Sequence, residues 1–436
     1  MSEGKLVRVV NRSGMFALAF GAMVGWSWVA LSGNWIAGAG SVGAVMAFAA
    51  GGVAVIFVGL TYAELAAAMP KAGGEHVYST RALGRTASFI CTWAILLGYV
   101  SVVAFEAVAL PTVTEYLLPG FSRGYLWTVA GWDVEATWVL VGVGAAIVMT
   151  AINIVGIRTA ARLQTLVVIV VALSGIALLA GAVTSGATEN MSPMFENGLT
   201  GWLGVLVMVP FMFVGFDVIP QSAEEVDVPF RDIGKLLMLS IVLAVCWYAA
   251  IIWAVSMSLP DAARDASSLP TADAATAAFS AGWAGKLLVV GGIGGILTSW
   301  NAFLVGGSRA LFALARAGQL PAVFGRLHPR FNTPHFAILL IGGLSVVAPL
   351  FGRPALVWLV DAGGLGIVTA YAMVAWSFLI LRRREPDMPR PYRVRGGRLV
   401  GRAALVLSLA IALLYLPGSP AALLWPQEWA IVISWA

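Results

Sequence analysis

Long apolar runs separated by short polar punctuation fill this chain almost from end to end. They lie at 14–35, 41–69, 87–118, 136–153, 160–184, 200–221, 235–258, 284–316, 335–350, 354–381, 400–416 and 420–436. Most match or exceed the roughly 17–25 residues a helix needs to cross about 30 Å of hydrocarbon, so the pattern predicts an all-α integral membrane protein of about twelve transmembrane helices. The last run is short and contains Trp425-Pro426, so its completeness as a helix is open. The first run follows Asn11-Arg12-Ser13-Gly14, a capping-type start. The polar stretch before it has no small-residue cleavage site and does not read as a signal peptide.

Two runs carry interruptions that a simple lipid-spanning helix does not need. In the first, Gly21-Ala22-Met23-Val24-Gly25-Trp26-Ser27-Trp28 sets two glycines four apart and follows the second with amphipathic side chains. Backbone that unwinds at mid-membrane survives only where it lines a cavity or binds something. Close helix packing through a GxxxG pair is an equally good reading of Gly21 and Gly25. In the sixth run, Pro210 and Gly215 weaken the helix, with Phe211, Phe213 and Phe216 around them and Asp217 after them. An aromatic packing stripe with a proline kink is the alternative there.

Composition removes the soluble classes. With 60% hydrophobic and 11% charged residues, 436 residues cannot make a water-facing surface. The net charge of +5 is set by topology. With a cytoplasmic N-terminus, all of the 26 Lys and Arg residues except Arg123, Arg264, Lys286 and Arg353 fall on inner segments, as the positive-inside rule requires. The basic stretch from Arg382 to Arg398 then reads as an anchor against anionic lipid and not as a nucleic-acid surface. Cys91 and Cys246 sit within apolar runs and read as small core residues. His76, His328 and His335 fall in predicted inner loops at no metal-ligand spacing, and no P-loop or nucleophile triad is present, so neither catalysis nor nucleotide-driven pumping is indicated and no cofactor is expected.

Acidic residues within the apolar runs are costly and therefore functional candidates. Glu106 lies between Phe105 and Ala107, where it contacts a substrate or proton or else bonds a neighbouring helix. Asp361, beside Gly363, Gly364 and Gly366, reads as a pathway acid or as gate lining. Trp127 and Trp132 in the outer 119–135 loop read as interfacial anchors.

Four stretches carry a family resemblance: YAELAAAMPKAGGEHVYSTRALG, PFMFVGFDVIPQSAEEVDVPFRDIGK, GGSRALFALARAGQLPAVFGRLHPRFNTP and RRREPDMPRPYRVRGG. In this order they resemble the inner-loop signatures of the amino acid–polyamine–organocation transporter superfamily, amino acid permease type. The resemblance implies a leucine-transporter-type fold of two inverted five-helix repeats with helices 1 and 6 broken around the substrate. The expected organisation is a cytoplasmic N-terminus at 1–12, repeats at 13–184 and 199–381, a basic loop at 382–399, and two further helices at 400–436. Odd-numbered repeats must be inverted, and paired Gly/Pro interruptions are the expected pointer to the site.

The same resemblance implies secondary active transport of an amino acid by alternating access, as symport or exchange. A substrate carboxylate would meet the amides from Trp26 to Trp28 after Gly25. Its ammonium would meet carbonyls of Gly21, Ala22 and Met23 and of Phe213 to Gly215. Phe211 stands where relatives close an aromatic over substrate, Asp217 where they keep an acid, and Trp300 where arginine-handling relatives contact substrate. Glu224 and Glu225 read as partners for the basic loops. Gly21, Val24, Thr298 and Ser299 match a sodium site of related transporters, with a proton as the other coupling ion; where some relatives carry a lysine, this chain has Val171. Relatives are slimmer where this chain has Trp26 and Trp28 around Ser27, which narrows the site. An amine lacking a carboxylate, such as a polyamine or ethanolamine, is the alternative substrate, favoured by Glu106, Asp217, Asp361 and the tryptophans. The partners expected are a small-molecule substrate and the lipid bilayer.

Overall fold

The computed structural model describes the backbone of residues 11–156 and 158–436 and the side chains of all of these except 158–164. Lys5, Arg8 and the side chains of Arg158 and Arg162, all assigned above to the inner side, lie outside the described residues. The chain forms α1 (Arg12–Met23), α2 (Ser27–Ala30), α3 (Ser32–Ala39), α4 (Ser41–Ala68), α5 (Glu75–Leu83), α6 (Arg85–Leu117), α7 (Ala136–Val155), α8 (Arg158–Ser185), α9 (Gly198–Phe213) and α10 (Val218–Gln221). It continues through α11 (Phe230–Ser258), α12 (Asp261–Ala266), α13 (Pro270–Phe279), α14 (Gly282–Arg316), α15 (His335–Val347), α16 (Ala355–Arg384), α17 (Gly397–Leu414) and α18 (Gln427–Trp435). An antiparallel ribbon of β1 (Tyr125–Val129) and β2 (Trp132–Glu135) is the one sheet among the described residues.

Ten spans among the described residues are long and apolar enough to cross a membrane, so the protein is a multi-pass membrane protein. Of the twelve apolar runs, the ninth gives the shorter stretch His335–Phe351 and the last gives α18, nine residues long. Lipid-facing rows of α7, α8 and α17 expose Leu140, Ile147, Leu173, Val183, Leu399 and Leu413, as hydrocarbon-facing helices must. Cys246 is exposed on such a face, which corrects its reading as a core residue; Cys91 is buried. A hydrocarbon-facing surface and a core are both apolar, so hydropathy does not separate them.

Several of the predicted inner basic residues find acids or carbonyls as partners at one end of the bundle. Arg81 pairs with Glu385 at 2.5 Å, Arg12 pairs with Asp232, and Arg85 donates to the Gly318 carbonyl at 2.6 Å. At the other end Arg353 donates to the Ser268 carbonyl, and Arg264 to those of Asn190 and Ser192. Trp127 donates to the Leu350 carbonyl, and Trp132 lies beneath the Arg353 guanidinium, so both are tied into this end.

The basic 382–399 segment turns partly inward, unlike a simple lipid anchor. Fully buried Glu64 pairs with Arg382 at 2.5 Å and Arg390 at 3.0 Å and accepts from the Val394 amide at 2.8 Å. Two guanidinium groups and an amide satisfy a carboxylate that has no water around it. Removing one member of a buried pair strands the other charge, at about 3–5 kcal/mol, whereas an exposed pair is worth about 0–1 kcal/mol. Glu64→Gln is therefore expected to lower the unfolding temperature in detergent markedly, and Arg81→Ala, at the half-exposed Glu385 pair, to lower it little. A thermal-shift comparison of the two checks this ranking.

Candidate substrate site

α1 ends at Met23, and regular helix resumes only at Ser27. α9 passes through Pro210 and ends at Phe213; α10 begins at Val218. The proline removes one ladder hydrogen bond and does not end the helix. The chain leaves it instead where Gly215 takes φ +131°, a conformation unfavourable to any residue with a Cβ. Asp217 Oδ1 accepts from the Gly215 amide at 2.8 Å and so fastens that turn.

The two non-helical segments pack directly on each other. A Cβ on Gly215 would lie 2.7 Å from the Ala22 side chain and 3.0 Å from the Met23 amide nitrogen. α14 closes the remaining side. A Cβ on Gly25 would lie 2.8 Å from Ser299 Cβ and 3.1 Å from Glu106 Oε1, and one on Gly295 would run into the Gly25 carbonyl. Gly21 contacts Val168 and Thr298. Gly21 lies within α1 and Gly25 in the non-helical backbone after it, and each stands against neighbouring helices.

A cavity of about 20 Å³ sits where these elements meet. Ala22, Met23, Gly25, Trp26 and Ser27 line it from the α1–α2 junction, Phe105 and Glu106 from α6, Phe211 from α9, and Ser299 and Phe303 from α14. It has room for about one water molecule, so any larger guest requires side chains to move. Phe211 forms one wall. Its ring lies 5.9 Å from Phe105, and its edge sits 3.1 Å from where a Gly363 Cβ would be.

Polar groups in this region are mostly satisfied by the protein itself. Trp28 Nε1 donates to the Gly25 carbonyl at 3.0 Å, and Tyr248 donates to the Met23 carbonyl at 2.7 Å while lying 2.8 Å from Ser27 Oγ. Ser299 hydrogen-bonds the Glu106 carboxylate, and Glu106 Oε2 has no partner.

Of the residues singled out in the sequence, Ala22, Met23, Gly25, Trp26, Ser27, Glu106, Phe211 and Ser299 line the cavity. Gly21, Trp28, Phe213, Gly215, Asp217 and Trp300 do not; Trp28 turns to stack edge-on against Trp247 at 5.4 Å, and Trp300 is fully buried. Of the expected sodium ligands, Thr298 Oγ1 approaches the Gly21 carbonyl at 3.4 Å, at the edge of hydrogen-bond range. Ser299 hydrogen-bonds Glu106, which leaves the lone pairs of its hydroxyl oxygen uncommitted. Tyr248, Phe105 and Phe303 belong to the site and were not singled out. Nothing in the sequence says that Tyr248 reaches back to Met23, whereas Phe105 is signalled by its neighbour Glu106.

Further aromatic and polar contacts lie toward the side holding the inner charges. The Tyr62 and Tyr371 rings meet Phe216 at 5.2 and 5.5 Å, Gln221 donates to Glu75, and Arg309 pairs with Glu225 at 2.9 Å. Burial, and after it the charge of Asp217, holds the Glu75 carboxyl well above the usual carboxylate range. Glu224 accepts from the Ala72 amide at 3.3 Å, so of the two acids assigned to basic loops, Glu225 makes the ion pair, with an arginine of α14.

The amino acid permease family matches residues 11–435 of the chain. The branched-chain amino acid permease BcaP of Bacillus subtilis is 25% identical over 94% of this chain and 89% of its own length. A methylthioribose transporter of the same organism is 25% identical over 89% of this chain and 84% of its own length. An aspartate-proton symporter, also from Bacillus subtilis, is 24% identical over 94% of this chain and 79% of its own length. These relatives are named as permeases and transporters, not enzymes.

A methyl group at residue 295 would press on the Gly25 carbonyl and part α14 from the junction. Gly295→Ala is therefore expected to abolish ligand binding while leaving the protein monodisperse in detergent; Gly343→Ala, where a Cβ meets open space, is the control. Binding by ligand-induced thermal stabilisation checks both.

Proposed function

Because the chain belongs to the amino acid permease family, we propose that it is a secondary active transporter carrying amino acids across the cytoplasmic membrane by alternating access. The observation that carries this reading is the meeting of two non-helical segments, at 24–26 and 214–217, beside a small cavity lined by Glu106 and Phe211. Unwound backbone in hydrocarbon needs partners, and a substrate that supplies them gains both affinity and a lever on two helices at once.

The finer architecture we propose is twelve helices, with an inverted 5+5 repeat at 13–184 and 199–381, helices 1 and 6 broken, the basic loop at 382–399 and two added helices after it. The N-terminus lies in the cytoplasm. The charge distribution supports that orientation. In the proposed site the substrate carboxylate meets amides from Trp26 to Trp28, and the ammonium meets the Gly21–Met23 and Phe213–Gly215 ends together with Glu106. Phe211 swings aside to admit the substrate and closes over it. The Tyr62–Phe216–Tyr371 cluster and the Arg309–Glu225 pair form the closed inner gate, and opening inward separates them.

A sodium ion, a proton or a counter-substrate drives the cycle. The second reading, an amine without a carboxylate, is favoured by the unpartnered Glu106 Oε2 lining the cavity region. A buried carboxylate finds its most favourable partner in a cation.

Uptake of labelled amino acids and amines into proteoliposomes, with and without sodium or proton gradients, tests the reading directly. Accumulation or exchange of at least one amino acid is expected; inertness of the whole panel would overturn it. Phe211→Ala and Ser27→Trp are expected to cut uptake at least tenfold with the protein still folded, and wild-type rates in both would remove the site assignment. Glu106→Gln separates the two substrates: retained uptake of neutral amino acids with loss of cationic ones marks direct charge recognition.

A further inference from the structure

Asp361 is an acid that the substrate cavity leaves unused. It sits in α16 two residues before Gly363, and its carboxyl hydrogen-bonds that of Glu428 in the first turn of α18. From this pairing we propose that Asp361 and Glu428 form a proton-binding site apart from the substrate cavity, where one shared proton holds α18 against α16.

Proton accounting requires that guest. An ionised carboxylate offers only lone pairs, so two carboxyls bond each other only when a proton lies between them. Other donors do not supply the deficit. The Leu424 amide goes to Glu428 Oε2 at 2.7 Å, and the Tyr415 hydroxyl is spent on the Val207 carbonyl. Asp361 Oδ1 and Glu428 Oε1 are left without an N–H or O–H partner, although Glu428 is only 1% exposed. Among the described residues, no lysine or arginine acts on either acid. Tyr415 is the one other titratable group turned toward the pair from the helices packed around α16 and α18. Nor do the two acids have, among the described residues, the third ligand a metal ion would ask for. With both ionised they would be two like charges in contact without a counter-ion, which burial does not tolerate.

The place of the pair gives the proton a consequence. Asp361 lies less than about two turns from the start of α16, at the end of the bundle that carries Arg353, and is partly accessible there, so the proton exchanges with the solution on that side. The other end of α18 is fixed separately. Trp435 and Trp93 stack at 4.7 Å, and each indole N–H donates to the other residue's carbonyl. Losing the proton therefore frees the Glu428 end alone. That end backs the substrate cavity, since the Phe211 ring edge lies 3.1 Å from where Gly363 would carry a Cβ, and Tyr415, packed on Gly364, holds α9 through Val207. Deprotonation thus acts on α16 directly behind Phe211, from residues that do not line the cavity.

Glu428→Gln and Asp361→Asn test this, because an amide N–H donates to the remaining carboxylate and puts a fixed hydrogen in place of the shared one. In the unfolded chain both acids are ionised at neutral pH, so the folded wild type holds one proton more and loses stability as rising pH removes it. The unfolding midpoint in detergent is therefore expected to fall between about pH 6 and about pH 9, and to fall by at least about 2 °C less in each variant. Other buried acids are common to all three proteins and cancel in the comparison. Infrared spectra at the acid end of the series are expected to show a protonated-carboxyl carbonyl band in the wild type, with one component of it missing in both variants. Parallel melting of wild type and both variants across the pH series overturns the inference, as does a protonated-carboxyl band unchanged by either substitution. If one variant does not survive size-exclusion chromatography, the other decides by the same two measurements. Neither measurement needs a substrate, so a failure here is distinct from a failure of the proposed function, which uptake decides.

Discussion

Everything in this protein answers to one constraint: main-chain N–H and C=O groups released from helix inside hydrocarbon must find partners within the molecule. Two stretches of the bundle release them beside each other. At the first, Tyr248 takes the Met23 carbonyl and Trp28 takes that of Gly25; at the second, Asp217 takes the Gly215 amide. The three partners come from three helix neighbourhoods, so the irregular backbone is held from several sides at once. That explains why a costly group such as Asp217 is kept in an otherwise apolar interior.

Glycine makes the arrangement compact enough to work. Gly215 against Ala22, and Gly295 against the Gly25 carbonyl, let backbone meet backbone where any side chain would intrude. α14 is the wall that profits, since the same helix brings Ser299 to Glu106, Gly292 under the Trp26 ring and Thr298 toward Gly21. A motion of α14 relative to the two junctions would change all of these contacts together. A close-packed interior moves between discrete arrangements and does not deform smoothly.

The inner side is built by different physics. Aromatic rings, a buried Arg309–Glu225 pair and the Glu64 cluster with Arg382 and Arg390 hold it together. Ring contacts are modest in strength, whereas Glu64 holds the basic segment with charge that cannot be left unpaired.

Helix content and membrane class were legible from the sequence alone. Both depend on local properties, run length and hydropathy. The family resemblance was legible too, because loop signatures are contiguous. Tertiary structure decided the rest. Tyr248 lies 225 residues from Met23 along the chain, and only packing makes them partners. Trp28 and Trp300 looked as suited to the cavity as Trp26, yet only Trp26 lines it, since side-chain direction depends on where the helix resumes after Gly25. The inward turn of Arg382 and Arg390 toward Glu64 and the lipid exposure of Cys246 were hidden for the same reason. Hydropathy records what a residue is, and only the assembled bundle decides what it faces.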